Sequence, residues 1–215
     1  MITDYNFIVI EGNIGAGKTT LAKKISADFN AKLIPEEFAE NPFLPKFYKN
    51  PEKYSFPLEL SFLADRFHQL NKQIRNRDLF KSFVVADYYF TKSLIFAGNT
   101  LSDDEFALYR RIFNIIYTSL PKPDLYVYLH LDTHNLLKNI KRRGRDYEKN
   151  IKAEYLEKIQ NGYIEYMKQH RDEYRFLLID TNKIDFVKNP EDYDKLIDVI
   201  FNKKYKTGIN RVILS

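Results

Sequence analysis

The sequence predicts an α/β protein in which helices cover both faces of a parallel sheet. Five short runs of almost continuously apolar residues are spaced along the chain, as expected of strands that are buried on both faces. These runs comprise residues 7–10, 32–34, 83–86, 125–129 and 176–179. Segments with helical periodicity separate them, namely residues 21–29, 58–74, 103–119 and 153–169. This alternation predicts a doubly wound, five-stranded parallel sheet whose ligands bind beyond the carboxyl ends of the strands.

The composition favours one globular domain that spans residues 1–215. Hydrophobic residues make up 44% of the chain and aromatic residues 15%, which is enough for one buried core, and no linker or repeat marks a boundary. Cysteine is absent, so disulfides and thiolate chemistry are excluded, and the four histidines lack the spacing of a zinc site. No apolar run reaches the ~20 residues that cross a bilayer, and nothing near the N-terminus resembles a signal sequence. We therefore expect a cytoplasmic protein with no membrane partner.

Neither the charges nor the aromatic residues by themselves indicate a macromolecular partner. The net charge of +5 allows an anionic partner without requiring one. Seven cations are concentrated in one stretch, namely Lys138, Lys141, Arg142, Arg143, Arg145, Lys149 and Lys152. Such a run is more often a solvated face, so it needs a second observation before it indicates phosphate binding. Aromatic residues at helical spacing, such as Phe106, Tyr109 and Phe113, fit a core or a subunit contact better than a nucleic-acid stacking platform, and no nucleic-acid partner is expected.

A phosphate-binding loop is the most specific motif in the chain. Residues 12–19 read GNIGAGKT, which matches G-x-x-x-x-G-K-[ST] and lies between a predicted strand and a predicted helix. In such a loop the backbone N–H groups point at one anion and the helix adds the positive end of its dipole. Lys18 would reach the outer phosphates, and Thr19 would offer a hydroxyl to Mg²⁺. The predicted ATP-binding residues are Gly12, Asn13, Ile14, Gly15, Ala16, Gly17, Lys18, Thr19 and Thr20.

The loop alone does not name the reaction, because motors, switches, helicases and small-molecule kinases all use it. Acidic residues that follow the second and third predicted strands supply the next observation, namely Glu36, Glu37 and Asp87. They would lie at the carboxyl edge of the sheet beside Lys18, where phosphoryl transfer needs a base for a hydroxyl group and a ligand for the metal. Taken alone, a carboxylate after a strand is more often a turn or cap residue.

An ordered set of short motifs after this loop resembles the deoxynucleoside kinase family. The set consists of Pro35-Glu36-Glu37-Phe38, Asn41-Pro42, Phe47-Tyr48, Tyr54-Ser55-Phe56, a helix with Arg66, Arg143-Gly144-Arg145 and Glu154-Tyr155-Leu156. The resemblance extends from about Ile8 to about Phe186, and it is nearest to the bacterial deoxyadenosine and deoxyguanosine kinases. None of these short motifs by itself is specific for the family, but their order along the chain is.

The resemblance implies an ATP-dependent 5′-phosphotransferase of nucleotide salvage that works with Mg²⁺. It implies a single P-loop kinase domain, an arginine-rich lid at about residues 142–152 and a homodimer. Glu36 would be the general base that acts on the 5′-hydroxyl of a deoxynucleoside. Tyr48 and Glu148 would bind the 3′-hydroxyl, and Arg143 and Arg145 would close over the transferring phosphoryl group. This last assignment is the second observation that the basic stretch needs.

Three positions depart from the family pattern. Glu37 stands where the family usually has proline. Asp87 corresponds to an acid that would bind Mg²⁺ directly or through water, but Tyr88 stands where an arginine usually follows it. Positive charge near the 5′-oxygen would then have to come from elsewhere. Phe96 resembles the aromatic residue that stacks on the base, although its spacing from Asp87 is one residue short and core packing is an equal alternative.

A substitution at the expected base contact predicts the substrate. Glu59 stands where the family carries a glutamine, and Arg66 matches the family's base-contacting arginine. Because an ionised carboxylate only accepts hydrogen bonds, Glu59 suits the two donors of guanine, whereas glutamine suits adenine or cytosine. We therefore expect deoxyguanosine, with Arg66 donating to O6 or N7. Alternatively, a protonated Glu59 would imitate glutamine, or Glu59 would only neutralise Arg66.

Three other functions stay open from the sequence. A deoxyadenosine kinase would share every motif of the resemblance. A nucleoside monophosphate kinase of the thymidylate kinase type would share the fold and the loop, but it would carry an arginine directly after Asp87. A regulator that binds nucleotide without catalysis would bind ATP with no dependence on Glu36.

Overall fold

Six strands form one parallel sheet in the part of the chain that the structure describes. The computed structural model describes residues 4–36, 41–75 and 78–215. The strands are β1 (Phe7–Gly12), β2 (Lys32–Ile34), β3 (Val84–Ala86), β4 (Leu125–His130), β5 (Arg175–Asp180) and β6 (Gly208–Ile213). Their order across the sheet is β2-β3-β1-β4-β5-β6, and each neighbouring pair is parallel. The predicted α/β class is confirmed.

Helices connect these strands on both faces of the sheet. Within the described ranges they are α1 (Lys18–Asp28), α2 (Leu44–Lys49), α3 (Pro51–Arg75), α4 (Thr91–Thr100), α5 (Asp103–Tyr117), α6 (Thr133–Arg143), α7 (Ala153–Gln169) and α8 (Pro190–Phe201), with a short 3-10 helix at Asp146–Glu148. The predicted segment 153–169 coincides with α7, whereas α3 begins seven residues before the predicted 58. It begins at Pro51, which suits a first helical position because the missing N–H needs no partner there. No helix among the described residues is both long and apolar enough to cross a membrane.

The prediction of five strands is wrong, because β6 forms a sixth strand at the edge of the sheet. Its residues alternate between half-buried and exposed, as expected of an edge strand that packs on one face only. Prediction from continuous apolar runs finds strands buried on both faces and therefore misses this one. The strand pairs with β5 along its whole length. Directly after it, Leu214 is buried in the core.

Two apolar layers, one on each face of the sheet, form the core. Along β1, Ile8 and Ile10 belong to one layer, and Phe7 and Val9 belong to the other. This alternation follows from the two-residue period of a strand. The second layer also contains Tyr109 and Phe113 of α5, with Phe106 packed against it. These aromatic residues are therefore core residues, as one of the two sequence interpretations held.

The register of the sheet brings the segments after β1, β2 and β3 to one edge. Ala86 at the end of β3 pairs with Ile34 at the end of β2 and with Val9 of β1. The backbone N–H of Asp87 then donates to the carbonyl oxygen of Ile34, at 3.1 Å. Carboxyl ends of parallel strands carry the ligand sites of such sheets. The phosphate-binding loop, Glu36 and Asp87 consequently meet here.

The edge strand provides a test of how the C-terminal segment contributes to stability. We expect Leu214→Ala to lower the free energy of unfolding by about 2 to 3 kcal/mol, because it removes a buried side chain from the core. Its matched control is Ile213→Ala, since Ile213 is 61% exposed; that change should cost less than about 1 kcal/mol. Urea denaturation of both variants measures the difference, and equal losses would contradict the burial of Leu214 in the core.

Candidate active site

The phosphate-binding loop is held in place by buried polar contacts from its own residues. It connects β1 to α1, as its motif predicted. The Asn13 side chain is buried; its amide group donates to the carbonyl oxygen of Leu156 in α7 at 2.7 Å and accepts from the N–H of Ile14 at 2.8 Å. The ammonium group of Lys18 donates to the carbonyl oxygen of Asn13 at 2.8 Å. The loop is therefore shaped before any anion binds.

Two glycines allow the tight path of this loop. Gly17, at the start of α1, has φ of 90°, in the left-handed region that favours glycine. A Cβ atom at Gly17 would lie 2.7 Å from the ring of Phe186, and one at Gly12 would lie 2.8 Å from the carbonyl oxygen of Leu129. Any larger residue would push the loop away from its neighbours. These two positions therefore need glycine for space as well as for conformation.

A cavity of about 780 Å³ lies in front of the loop. The loop and the start of α1 line it with Gly15, Ala16, Gly17, Lys18, Thr19 and Thr20. Of the seven cations between residues 138 and 152, four line the same cavity, namely Lys138, Arg142, Arg143 and Arg145. The side chain of Asn139 joins α6 to the loop by donating to the carbonyl oxygen of Gly15 at 2.9 Å. Part of the basic stretch thus faces the anion site.

A second cavity, of about 100 Å³, lies between α2, α3 and α4. It is lined by five of the predicted substrate-binding residues, namely Glu36, Tyr48, Glu59, Arg66 and Phe96. Apolar walls come from Leu44, Phe47, Leu58 and Phe62. Ile14 of the loop contributes to this second cavity. Phe96 lines this cavity and also packs against the second core layer, so both interpretations of it stay open.

The two cavities meet at a shared set of side chains. Both are lined by Lys18, Thr19, Glu36, Arg143 and Arg145. Lys18, Thr19, Arg143 and Arg145 were predicted from the sequence to act on a phosphoryl group or on its metal, and Glu36 was predicted to act on the attacking hydroxyl. The structure therefore brings them together at one point between a large basic cavity and a small, mostly apolar one.

Glu36 is a buried carboxylate that two cations share. Arg66 donates to Oε1 from Nη2 at 2.7 Å, and Lys92 donates to Oε2. Burial on its own would raise the pKa of Glu36, but Lys92 and Arg66 outweigh it and lower that pKa to about 2. Glu36 is therefore ionised at every physiological pH. The neighbouring candidate, Glu37, lies outside the described residues.

Asp87 and Thr19 form a pair of oxygen ligands beside the loop. The Asp87 carboxylate accepts from the backbone N–H of Glu36 at 2.5 Å and from the hydroxyl of Thr19. Burial raises the pKa of Asp87, and the hydrogen bond from Thr19 opposes that rise. A carboxylate, a hydroxyl group and the phosphates of a bound nucleotide are the kinds of oxygen ligand that Mg²⁺ uses. The donor set present here therefore fits the predicted metal.

One buried acid joins two arginines in the segment that was predicted to be a lid, residues 142–152. Glu148 is 5% exposed and accepts from Nη2 of Arg143 at 2.5 Å and from Nη1 of Arg145 at 3.3 Å. Tyr48 stacks on Tyr147 with ring centroids 5.9 Å apart. Burial, and then the charge of Glu148, raise the pKa of Tyr48, so its hydroxyl remains a donor. The two residues predicted to bind the 3′-hydroxyl thus lie close together.

Glu59 has an unusual environment for a carboxyl group. It is 2% exposed, Oε1 accepts from the Thr100 hydroxyl at 2.9 Å, and Oε2 has no hydrogen-bond partner among the described residues. Burial raises the pKa of Glu59 from about 4.5 to about 7, against the opposing charges of Arg66 and Lys92. Arg66 itself is engaged by Glu36 and Ser93. Glu59 therefore lines the small cavity with one of its oxygens unpartnered among the described residues.

Two residues that build this site, Lys92 and Glu11, were not predicted from the sequence. Lys92 in α4 is the more consequential, because it pairs with Glu36 and lines the small cavity. Burial, and then the charge of Lys92, lower the pKa of Lys18 to about 8. Glu11 is fully buried and accepts from the Tyr163 hydroxyl and from the Tyr89 backbone N–H, each at 2.8 Å. For Glu11 the available signal was a charged residue directly after the apolar run 7–10, whereas Lys92 stands between Thr91 and Ser93 and has no such signal.

Comparison with known proteins connects this site to one family. Residues 8–205 match the family model described as deoxynucleoside kinase. The chain is similar to the deoxyguanosine kinase of Bacillus subtilis (strain 168), with 39% identity over 193 residues that cover 88% of this chain and 93% of the relative. It is similar to the deoxyadenosine kinase of Dictyostelium discoideum, with 34% identity over 88% of this chain and 77% of the relative. Among solved structures, deoxyadenosine kinase from M. mycoides with bound dATP has a TM-score of 0.78 and 26% identity, covering 92% of this chain and 100% of that one.

The raised pKa of Glu59 predicts how stability depends on pH. A folded protein that holds a proton on Glu59 up to about pH 7 loses stability as pH rises from about 4.5 to 7, because the unfolded chain releases that proton first. The loss should total about 3 kcal/mol. We expect Glu59→Gln to remove this pH-dependent loss. The free energy of unfolding of the variant should therefore rise relative to that of the wild type between pH 5 and pH 8.

Urea denaturation at several pH values measures this effect. The matched control is Glu173→Gln, which changes a half-exposed carboxylate that pairs with Lys122. If wild type and Glu59→Gln show the same dependence on pH, Glu59 does not titrate in this window.

Proposed function

The chain belongs to the deoxynucleoside kinase family, whose members are phosphotransferases, and on this basis we propose that it transfers the γ-phosphoryl group of ATP to the 5′-hydroxyl of deoxyguanosine. One observation carries the proposal. The large basic cavity and the small cavity, which has apolar walls on one side, meet at the phosphate-loop lysine, an ionised carboxylate and the two arginines of the predicted lid. A donor in the first cavity and an acceptor in the second would react at that junction.

The large cavity would hold ATP. Its triphosphate would lie on the N–H groups of the loop and at the positive end of α1, with Lys18 at the outer phosphates. The Thr19 hydroxyl and the Asp87 carboxylate would hold Mg²⁺, which neutralises phosphate charge when it is bound. The volume of about 780 Å³ lies within the usual range of ligand sites.

The small cavity would hold the deoxynucleoside. Tyr48 and Glu148 would bind the 3′-hydroxyl, which suits a sugar that carries no phosphate. Phe96 would stack on the base from α4, one wall of the cavity. The 5′-hydroxyl would then point towards Glu36, which lines both cavities.

The reaction would be an in-line displacement at the γ-phosphorus. Glu36 takes the proton of the 5′-hydroxyl, the new O–P bond forms, and the bond to the leaving ADP breaks. Arg143 and Arg145 stabilise the charge on the equatorial oxygens and exclude water that would hydrolyse ATP. In the structure both arginines pair with Glu148, so they lie near the junction before substrates bind.

Glu59 supports guanine as the base. Glu59 lines the small cavity, and its buried Oε2 has no hydrogen-bond partner among the described residues, so a ligand there would complete its hydrogen bonding. The ionised carboxylate would accept from both N1–H and the exocyclic amine of guanine, since it is acceptor-only and each of its oxygens can accept more than one bond.

Deoxyadenosine is the second candidate, and a specific observation favours it. The Bacillus relative is a deoxyguanosine kinase and the Dictyostelium relative a deoxyadenosine kinase, so family membership does not choose between them. With a pKa of about 7, Glu59 is partly protonated at neutral pH and then has one donor and one acceptor, like glutamine. A kinase of the thymidylate type fits less well, because the buried Tyr88 occupies the place of the arginine it needs.

The base preference gives a direct test. We expect kcat/KM for deoxyguanosine to exceed that for deoxyadenosine at least about tenfold at pH 8, because a mispaired buried edge costs roughly 1 to 3 kcal/mol. The preference for deoxyguanosine should shrink towards pH 6, because Glu59 is then protonated. The charged and titratable groups that interact with Glu59 are Arg66, Lys92, Tyr109 and Tyr155.

The measurement is a panel of the four deoxynucleosides with Mg-ATP at pH 6, 7 and 8. Glu59→Gln should erode or reverse the preference and remove its pH dependence, and Glu173→Gln should leave both unchanged. A wild-type preference for deoxyadenosine or a pyrimidine at pH 8 would contradict the guanine assignment, and only the kinase activity would remain.

The role of Glu36 gives a second test. We expect Glu36→Gln to lower kcat by about two to four orders of magnitude, the usual size of a general-base contribution. Nucleoside binding, measured by calorimetry, should change little, because the amide still accepts a hydrogen bond from Arg66. If Asp87→Asn costs more than Glu36→Gln, the roles of the two acids must be exchanged.

A further inference from the structure

Lys92 occupies a position that is costly for a lysine. Its side chain is 7% exposed, and a buried ammonium group is unfavourable unless it is paired. It is also the second residue of α4, where the positive end of the helix dipole repels a cation. Two unfavourable effects at one residue call for a role beyond helix formation or packing.

Two cations contact the single carboxylate of Glu36. Arg66 already binds Oε1 of that carboxylate through Nε at 3.2 Å and Nη2 at 2.7 Å, and its third contact, with Ser93 at 2.8 Å, fixes its orientation. One guanidinium group balances one carboxylate. Lys92 on Oε2 therefore places a second positive charge at the junction of the two cavities.

The ammonium group of Lys92 also lies where substrates would meet. It lines the small cavity together with Lys18, Thr19, Arg143 and Arg145, and lies 5.4 Å from the ring centroid of Phe96. Glu36, its partner, lines both cavities. A hydroxyl oxygen that approached Glu36 would come within reach of Lys92 as well.

We propose that Lys92 is a catalytic residue of phosphoryl transfer, whose ammonium group donates a hydrogen bond to the transferring γ-phosphoryl group as the acceptor oxygen attacks. The inference rests on the proposed function. The O–P bond to the acceptor forms, the bond from γ-phosphorus to ADP breaks, and the hydroxyl proton goes to Glu36, while Lys92 keeps its proton throughout. The residue after Asp87 is Tyr88, which carries no positive charge. Lys92 would supply the positive charge that is missing from that position.

The test compares Lys92→Met, which keeps the length of the side chain and removes the charge, with Lys92→Arg, which keeps the charge. We expect Lys92→Met to lower kcat about 100-fold or more, the usual cost of losing one donor to a transition state, with KM for the nucleoside within about threefold of wild type. Lys92→Arg should retain kcat within about tenfold. The control is Lys122→Met, which changes an exposed lysine in the loop between α5 and β4. It should leave kcat unchanged.

A binding measurement separates catalysis from structure. ADP, aluminium fluoride and deoxynucleoside together imitate the transition state, and Lys92→Met should weaken this combination about as much as it lowers kcat, while the Kd of the nucleoside alone stays within threefold. If Lys92→Met does not fold, Lys92→Gln replaces it, since its amide keeps a hydrogen bond to Glu36.

The outcomes distinguish the inference from the function on which it rests. A wild type that phosphorylates a deoxynucleoside, with Lys92→Met within threefold in kcat, overturns the inference alone. If Lys92→Met loses nucleoside binding and kcat together, and Lys92→Arg does not restore them, the role of Lys92 is structural. That result also overturns the inference. A wild type with no transfer to any of the four deoxynucleosides overturns the proposed function and the inference with it.

Discussion

The buried ionic contact of Glu36 with Arg66 and Lys92 is the interaction on which the site depends. It joins the segment after β2 to α3 and α4, elements that share no hydrogen-bonded ladder. In a buried cluster of this kind each charge is tolerated because opposite charges lie close to it, and removing Glu36 would leave two cations without this partner. The positions of the candidate base, the small cavity and α4 are consequently coupled to each other.

The loop side of the junction is fixed by a different set of contacts. Asn13 reaches α7 through the carbonyl oxygen of Leu156, and Glu11 reaches the same helix through the hydroxyl of Tyr163. Glu11 also holds the backbone of Tyr89, two residues after Asp87. Glu11 and Asn13 lie on either side of Gly12, the last residue of β1. Small shifts of α7 would therefore move the loop through Asn13, and through Glu11 and Tyr89 they would move Asp87, the candidate metal ligand.

Charge is distributed unevenly over the two cavities, in a way that suits their proposed ligands. Cations of the loop, α1 and the lid surround the large cavity, which fits a triphosphate. The small cavity combines apolar walls with seven charged residues, namely Lys18, Glu36, Glu59, Arg66, Lys92, Arg143 and Arg145. Such a combination orients a flat heterocyclic base by a few hydrogen bonds while its faces pack on side chains.

The sequence by itself determined the features that are encoded locally. Residues 12–19 specify the loop because glycines and the following helix act within one short segment, and the five buried strands follow from their continuous apolar runs. Tertiary structure decided the rest. The edge strand β6 is stabilised mainly by pairing with β5, Lys92 meets Glu36 across 56 residues of sequence, and Glu59 acquires its high pKa from burial between helices. Each of these depends on what the folded chain places around a residue, and a pattern of neighbours along the chain does not contain that information.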